Sequence, residues 1–328
     1  MAIGLGACSG DITGPGVDDA DAGPPSVAFT SPAPAASFTR DHLAPTGALV
    51  ADVPVTLAIG GDVARVAITT GDLALGDATG NALDAALPAA GPATLTATAY
   101  DAAGAAVATA EVAITVVDPT VADCYGWLDL YHLDYVRGPV SEGIADPVTV
   151  TMPLSGMPFR YNDSTTPRTK TLMDCTLARS LAEAVPIWKA HDVVEVADYG
   201  IYNYRCIGGT GTPPNCPSGM SQHAYAKAID LTAFTTSDGT TYTVKTDFVI
   251  DPDGKTCTAD TEPGKDAWLH QLICELKGDG VWNIVLTPNY NADHRDHFHV
   301  DLTPNADFIK RTLDGGAPGM DDSAVDDD

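Results

Sequence analysis

Four of the chain's eight histidines fall in two short stretches, Ser221-Gln222-His223-Ala224-Tyr225-Ala226-Lys227-Ala228-Ile229-Asp230 and Asp293-His294-Arg295-Asp296-His297-Phe298-His299-Val300-Asp301. Imidazoles and carboxylates gathered in this way are the ligand types a catalytic Zn²⁺ recruits, three from the protein with a fourth position left to water. The local patterns favour that chemistry. From His297 to Leu302 polar and apolar residues alternate, so on a strand His297, His299 and Asp301 share one face and Phe298, Val300 and Leu302 the other. Burying the apolar set leaves two imidazoles projecting together. The same alternation in Ala228-Ile229-Asp230-Leu231-Thr232 turns Asp230 away from Ile229 and Leu231. A carboxylate among such neighbours is costly unless it pairs or binds a metal.

A chain of 328 residues with a sharp change of composition near residue 119 predicts two domains plus tails. Residues 1–26 read as a signal remnant and a Gly/Pro/Asp-rich tether. Over 27–118, alternating runs such as 53–59, 63–69, 93–100 and 110–117 are separated by Gly- and Asp-rich turns, the pattern of an all-β sandwich. That region resembles bacterial immunoglobulin-like modules. Residues 119–313 mix helical and strand periods: amphipathic helices are expected over Leu172–Val185 and Lys265–Leu276, the second turning Trp268, Leu269, Leu272, Ile273 and Leu276 to the core. Strands are expected over 193–197, 228–234, 242–244, 284–286 and 298–302, an α+β domain on a mainly antiparallel sheet. Residues 314–328 form an acidic tail expected to be disordered.

Ser221-x-His223-x-x-Ala226-x-Ala228-x-Asp230 followed by Asp296-His297-x-His299 resembles the zinc D-alanyl-D-alanine carboxypeptidase superfamily, and in particular the bacterial extensin-like C-terminal domain. Tyr204-Arg205-Cys206, Ala233-Phe234 and Pro288-Asn289-Tyr290-Asn291 extend the likeness over roughly residues 120 to 312. Two positions depart from the pattern: Ala226 stands where the superfamily has glycine, and in the extensin-like branch the cysteine usually precedes the arginine of Tyr204-Arg205-Cys206. The resemblance implies His223, Asp230 and His299 as zinc ligands, Asp296 as the catalytic carboxylate, His297 as a donor to the tetrahedral oxyanion, and Arg205 as a holder of substrate carboxylate or scissile carbonyl. It implies a peptidase acting on peptidoglycan stem peptides. Lysostaphin-type endopeptidases also use a His-x-His strand, but their first motif spaces histidine and aspartate by four, not seven. Asp301 and His294 are assigned to supporting or surface positions, and Tyr202, Tyr204 and Tyr225 are candidates to line the cleft.

Seventeen Lys and Arg against 44 Asp and Glu leave a net charge of −27, which excludes nucleic acid as a leading partner. No run of eighteen apolar residues exists to span a bilayer. Leu5-Gly6-Ala7-Cys8 resembles the bacterial lipobox, although no Lys or Arg precedes it. A lipid anchor at Cys8 is the expectation. The other six cysteines, all after residue 119 and without a Cys-x-x-Cys pair, suggest three disulfides in an oxidising compartment. Fifteen connectivities are open; the preferred pairs are Cys206 with Cys216, across a short Gly/Pro loop, Cys257 with Cys274, and Cys124 with Cys175. A monomeric, extracytoplasmic lipoprotein is therefore expected. The competing reading is a non-catalytic cell-wall-binding or adhesive lipoprotein, in which the sandwich does the work.

Overall fold

The computed structural model describes residues 23–251, 254–259 and 261–309. The lipobox at Cys8, most of the tether 1–26 and the tail 314–328 lie outside the described residues. Two compact units emerge, one from residues up to Arg40 with Ala51–Val117, the other from Asp41–Val50 and the chain from Asp118 onward.

In the first unit the strand Leu49–Gly60 pairs antiparallel with Ser26–Ser31 and Ala82–Leu87. A five-stranded sheet runs in the order Ser37–Thr39, Ala106–Val117, Gly91–Tyr100, Arg65–Thr70, Leu73–Asp77. Alternation decides which side chains meet: Val53, Val55 and Leu57 from one sheet and Leu95, Ala97, Ala99, Val112, Ile114 and Val116 from the other share one buried cluster. Two sheets closed on a common apolar layer make a β-sandwich. One expectation needs correction. The hairpin of His42–Leu43 against Leu49 and Val50 clusters with the second unit, because Leu49 is buried in that unit's core and Leu43 packs beside it.

The second unit is α+β, built on a seven-stranded sheet. Its order is Phe159–Tyr161, Val193–Asp198, Ala228–Thr236, Phe298–Asp301, Ile284–Leu286, Phe308–Ile309, with Thr241–Thr243 also paired to Ala228–Thr236. The outer pairs are parallel and the rest antiparallel. A three-stranded antiparallel sheet joins Tyr135–Arg137, Pro147–Thr151 and Lys170–Asp174. Here the expected helix from Leu172 is corrected: Leu172 to Asp174 finish a strand, and the helix is Cys175–Ala190. Apolar residues at 172, 173 and 177 suit either period. The boundary is set by Asp174, whose Oδ1 accepts from Thr176 N at 3.0 Å and Thr176 Oγ1 at 2.6 Å, an N-cap no periodicity reveals.

The second helix, Lys265–Gly278, buries Leu269, Leu272, Ile273 and Leu276 as its spacing predicts. Trp268 is the exception; it is only partly buried and stacks on Tyr242 with ring centroids 3.9 Å apart. All three expected disulfides form, Cys124–Cys175, Cys206–Cys216 and Cys257–Cys274. They suggest an extracytoplasmic protein. No helix among the described residues is long and apolar enough to cross a membrane.

Candidate metal centre

Strand register builds most of the site. Asp230 and His299 are directly paired across the antiparallel neighbours Ala228–Thr236 and Phe298–Asp301, so their side chains leave the same face of the sheet. Ile229, Leu231, Phe298 and Val300 are fully buried behind them. His223 arrives from outside the sheet, on the 3-10 turn Gln222–Tyr225. Ser221 caps that turn, its hydroxyl oxygen accepting from His223 N at 3.2 Å. Ala226 then ends it in the left-handed region at φ 53°, a conformation that favours glycine.

Three ligand atoms converge. His223 Nε2 lies 3.1 Å from Asp230 Oδ1 and 3.2 Å from His299 Nδ1, and the latter is 2.9 Å from Asp230 Oδ1. Tetrahedral zinc with bonds of 2.0–2.1 Å separates its ligand atoms by roughly 3.3 Å, close to these edges. The far side of each ring decides what faces inward. His223 Nδ1 is 2.9 Å from the Ile201 carbonyl, which only accepts, so that nitrogen carries a proton and Nε2 is the ring atom turned to the cluster. His299 Nε2 donates to Asp301 Oδ2 at 3.1 Å, leaving Nδ1 turned to the cluster. Such outer partners orient metal-bound imidazoles.

Three inward electron pairs repel unless positive charge sits between them. Burial disfavours charge on His299, yet the Asp230 and Asp301 carboxylates outweigh it and hold the ring well above its ordinary pKa. Burial likewise opposes the Asp230 charge, but His223 and His299 hold that carboxyl well below the usual range. A divalent ion or shared protons satisfy the cluster. It is the group of acidic, histidine and cysteine side chains spaced to hold a metal ion among the described residues.

The remaining predicted residues lie beside it. His297 is buried, with Nε2 3.6 Å from Asp230 Oδ1 and Nδ1 3.0 Å from Asp296 Oδ1. Asp296 accepts from Tyr199 Oη at 3.1 Å and lies 3.9 Å from Lys245 Nζ. Burial pushes the Asp296 pKa upward, but the His297 and Tyr199 hydrogen bonds prevail and keep it below the usual carboxylate range. Burial and Asp296 together push the Tyr199 phenol up to about 12, so it stays a donor. Arg205, His223 and Asp230 line one pocket, as does Tyr202. Asp301 and His294, expected in supporting or surface positions, are both buried, His294 with Nδ1 2.7 Å from Asn291 Oδ1.

The family described as extensin-like protein C-terminus matches residues 137–309, a span that holds the whole cluster. The chain belongs to this family. No curated protein matches it. Among solved structures, the fibronectin(III)-like modules of Clostridium thermocellum CbhA are 18% identical over 29% of this chain and 98% of theirs, with a TM-score of 0.24. The apo Bacteroides uniformis β-glucuronidase 3 is 11% identical over 39% of this chain and 15% of its own, with a TM-score of 0.22. The extensin-like span also contains what the motifs did not indicate: Tyr199, the Ile201 carbonyl, and Arg168 against the buried Asp198. Burial pushes the Asp198 carboxyl up to about 7 against the pull of Arg168. An aspartate closing the apolar run from Val193 was a legible signal for Asp198; a backbone carbonyl has none.

Proposed function

We infer that the cluster is the catalytic centre of a zinc-dependent peptidase of the cell envelope, hydrolysing amide bonds that involve D-amino acids in peptidoglycan stem peptides. The observation that supports it is the inward meeting of two imidazole nitrogens and one carboxylate, each ring anchored from behind, with an ionised carboxylate alongside. Zinc, when bound, lowers the pKa of a water at its open position toward about 7 and polarises a carbonyl. His223, Asp230 and His299 hold the ion. Asp296, ionised and steadied by Tyr199 and His297, accepts the proton of the attacking water and returns it to the leaving amine. His297 donates from Nδ1 to Asp296, so its Nε2 serves a developing oxyanion as the imidazolium. Arg205 offers a planar fork to a substrate carboxylate or carbonyl. With this reading go a lipid anchor at Cys8, a monomeric state, and a sandwich of immunoglobulin-like type that spaces the enzyme from its membrane.

Metal analysis of the purified full chain and mass analysis of muropeptides after digestion test it together. One zinc per chain is expected, along with release of peptide fragments whose masses name the bond. His223→Ala loses the zinc; Asp296→Ala keeps zinc and far-ultraviolet dichroism but loses activity by on the order of 10²–10⁴-fold. A protein that neither carries nor takes up zinc sinks the reading in favour of a non-catalytic wall-binding lipoprotein.

A further inference from the structure

The cluster opens into a pocket of ≈ 510 Å³. Basic side chains are scarce in this chain, 17 against 44 acids, yet Arg168, Lys170 and Arg205 all line that one cavity with His223 and Asp230. Arg168 is fixed by the return of the chain after Phe159–Tyr161: its N–H donates to the Phe159 carbonyl at 2.7 Å and its guanidinium lies over the Tyr161 ring, 5.4 Å from the centroid. Asp198 pairs with Arg168 Nη2 and balances its charge. Lys170, two residues on, is exposed and has no ion-pair partner among the described residues.

The geometry points to an anion-binding subsite, formed by Lys170 and Arg168, that recognises a carboxylate on the peptide close to the bond presented to the metal cluster. This rests on the peptidase reading and narrows it to peptides that carry a carboxylate near the scissile bond. Lys170 supplies a mobile positive charge and Arg168 an oriented one, whose remaining donors suit a carboxylate. The carboxylate is either the peptide's own C terminus or an acidic side chain.

Calorimetric titration of the zinc-loaded full chain carrying Asp296→Ala, silenced for turnover, separates these sources. The probes are a short acyl-D-Ala-D-Ala peptide with a free C terminus, its C-terminal amide, and that amide carrying one glutamate side chain. At least one carboxylate peptide is expected to bind about tenfold tighter than the plain amide. Adding Lys170→Glu removes most of that preference and leaves amide binding within about twofold. Adding Arg168→Gln with Asp198→Asn, which deletes the ion pair without stranding one charge, reduces the preference further. Tight binding by the free acid alone identifies the C terminus; recovery in the glutamate amide identifies a side chain. Equal affinities for all three peptides, binding of none, or a preference that Lys170→Glu leaves intact overturns the subsite. Charge-dependent binding in a chain whose parent cleaves nothing sinks the peptidase reading while the subsite stands; cleavage indifferent to charge does the reverse.

Discussion

Direction, more than distance, makes the three ligand residues a candidate metal centre. Histidines close together are common; histidines whose outer nitrogens are both committed as donors, to Ile201 O and Asp301 Oδ2, turn their inner nitrogens toward one point. Tyr199 acts on Asp296 in the same manner, through a hydrogen bond to one carboxylate oxygen while His297 holds the other. Deleting that hydroxyl with Tyr199→Phe removes a charge-assisted bond of about 1.5–3 kcal/mol. The expected outcome is a kcat about tenfold lower with KM and zinc content little changed and a melting temperature lower by a few degrees. A variant with wild-type kcat assigns Tyr199 to the pocket wall only.

At the scale of elements, the site depends on two cross-paired strands and on a capped turn that feeds the first of them. The alternation in 228–232 and 297–302 was legible, since a period of two with apolar residues on one parity dictates which side chains point together. The start of Cys175–Ala190 was not, because a helix N-terminus is set by who accepts its free N–H groups. Asp174 does this with both oxygens, Oδ2 also accepting from Asp146 N at 3.2 Å, and the residue is fully buried. Asp174→Ala leaves those donors without an acceptor in the interior, so it is expected to cost about 2–3 kcal/mol, above the ~1 kcal/mol of an ordinary cap. Denaturant unfolding measures this. Asp174→Asn, keeping Oδ1 as an acceptor, recovers part of the loss.

For the molecule as a whole, the crosslinks differ in what they constrain. Cys124–Cys175 spans 51 residues of sequence and ties the helix Cys124–Leu130 to the start of Cys175–Ala190, whereas the other two span 10 and 17. Loop-closure entropy makes the first worth about 4 kcal/mol and the others about 3. Replacing both Cys124 and Cys175 with alanine is expected to lower the melting temperature of the second unit more than either other double replacement, by calorimetry. The −27 charge belongs to this scale too, since Arg168, Lys170 and Arg205, three of only 17 basic residues, line one pocket.

What the amino-acid order determined unaided was whatever depends on neighbours within a few residues: the two-period of the site strands, the helical face of Leu269 to Leu276, the composition break between sandwich and α+β unit, and the chemistry a His/Asp cluster can do. Folding alone decided which distant groups share a space. Register set Asp230 opposite His299, packing drew Leu43 and Leu49 into the second unit's core, and the 199–205 segment brought a phenol and a carbonyl to the ligands. Those choices come from summing apolar burial and hydrogen-bond satisfaction over the entire chain, and no local window contains that sum.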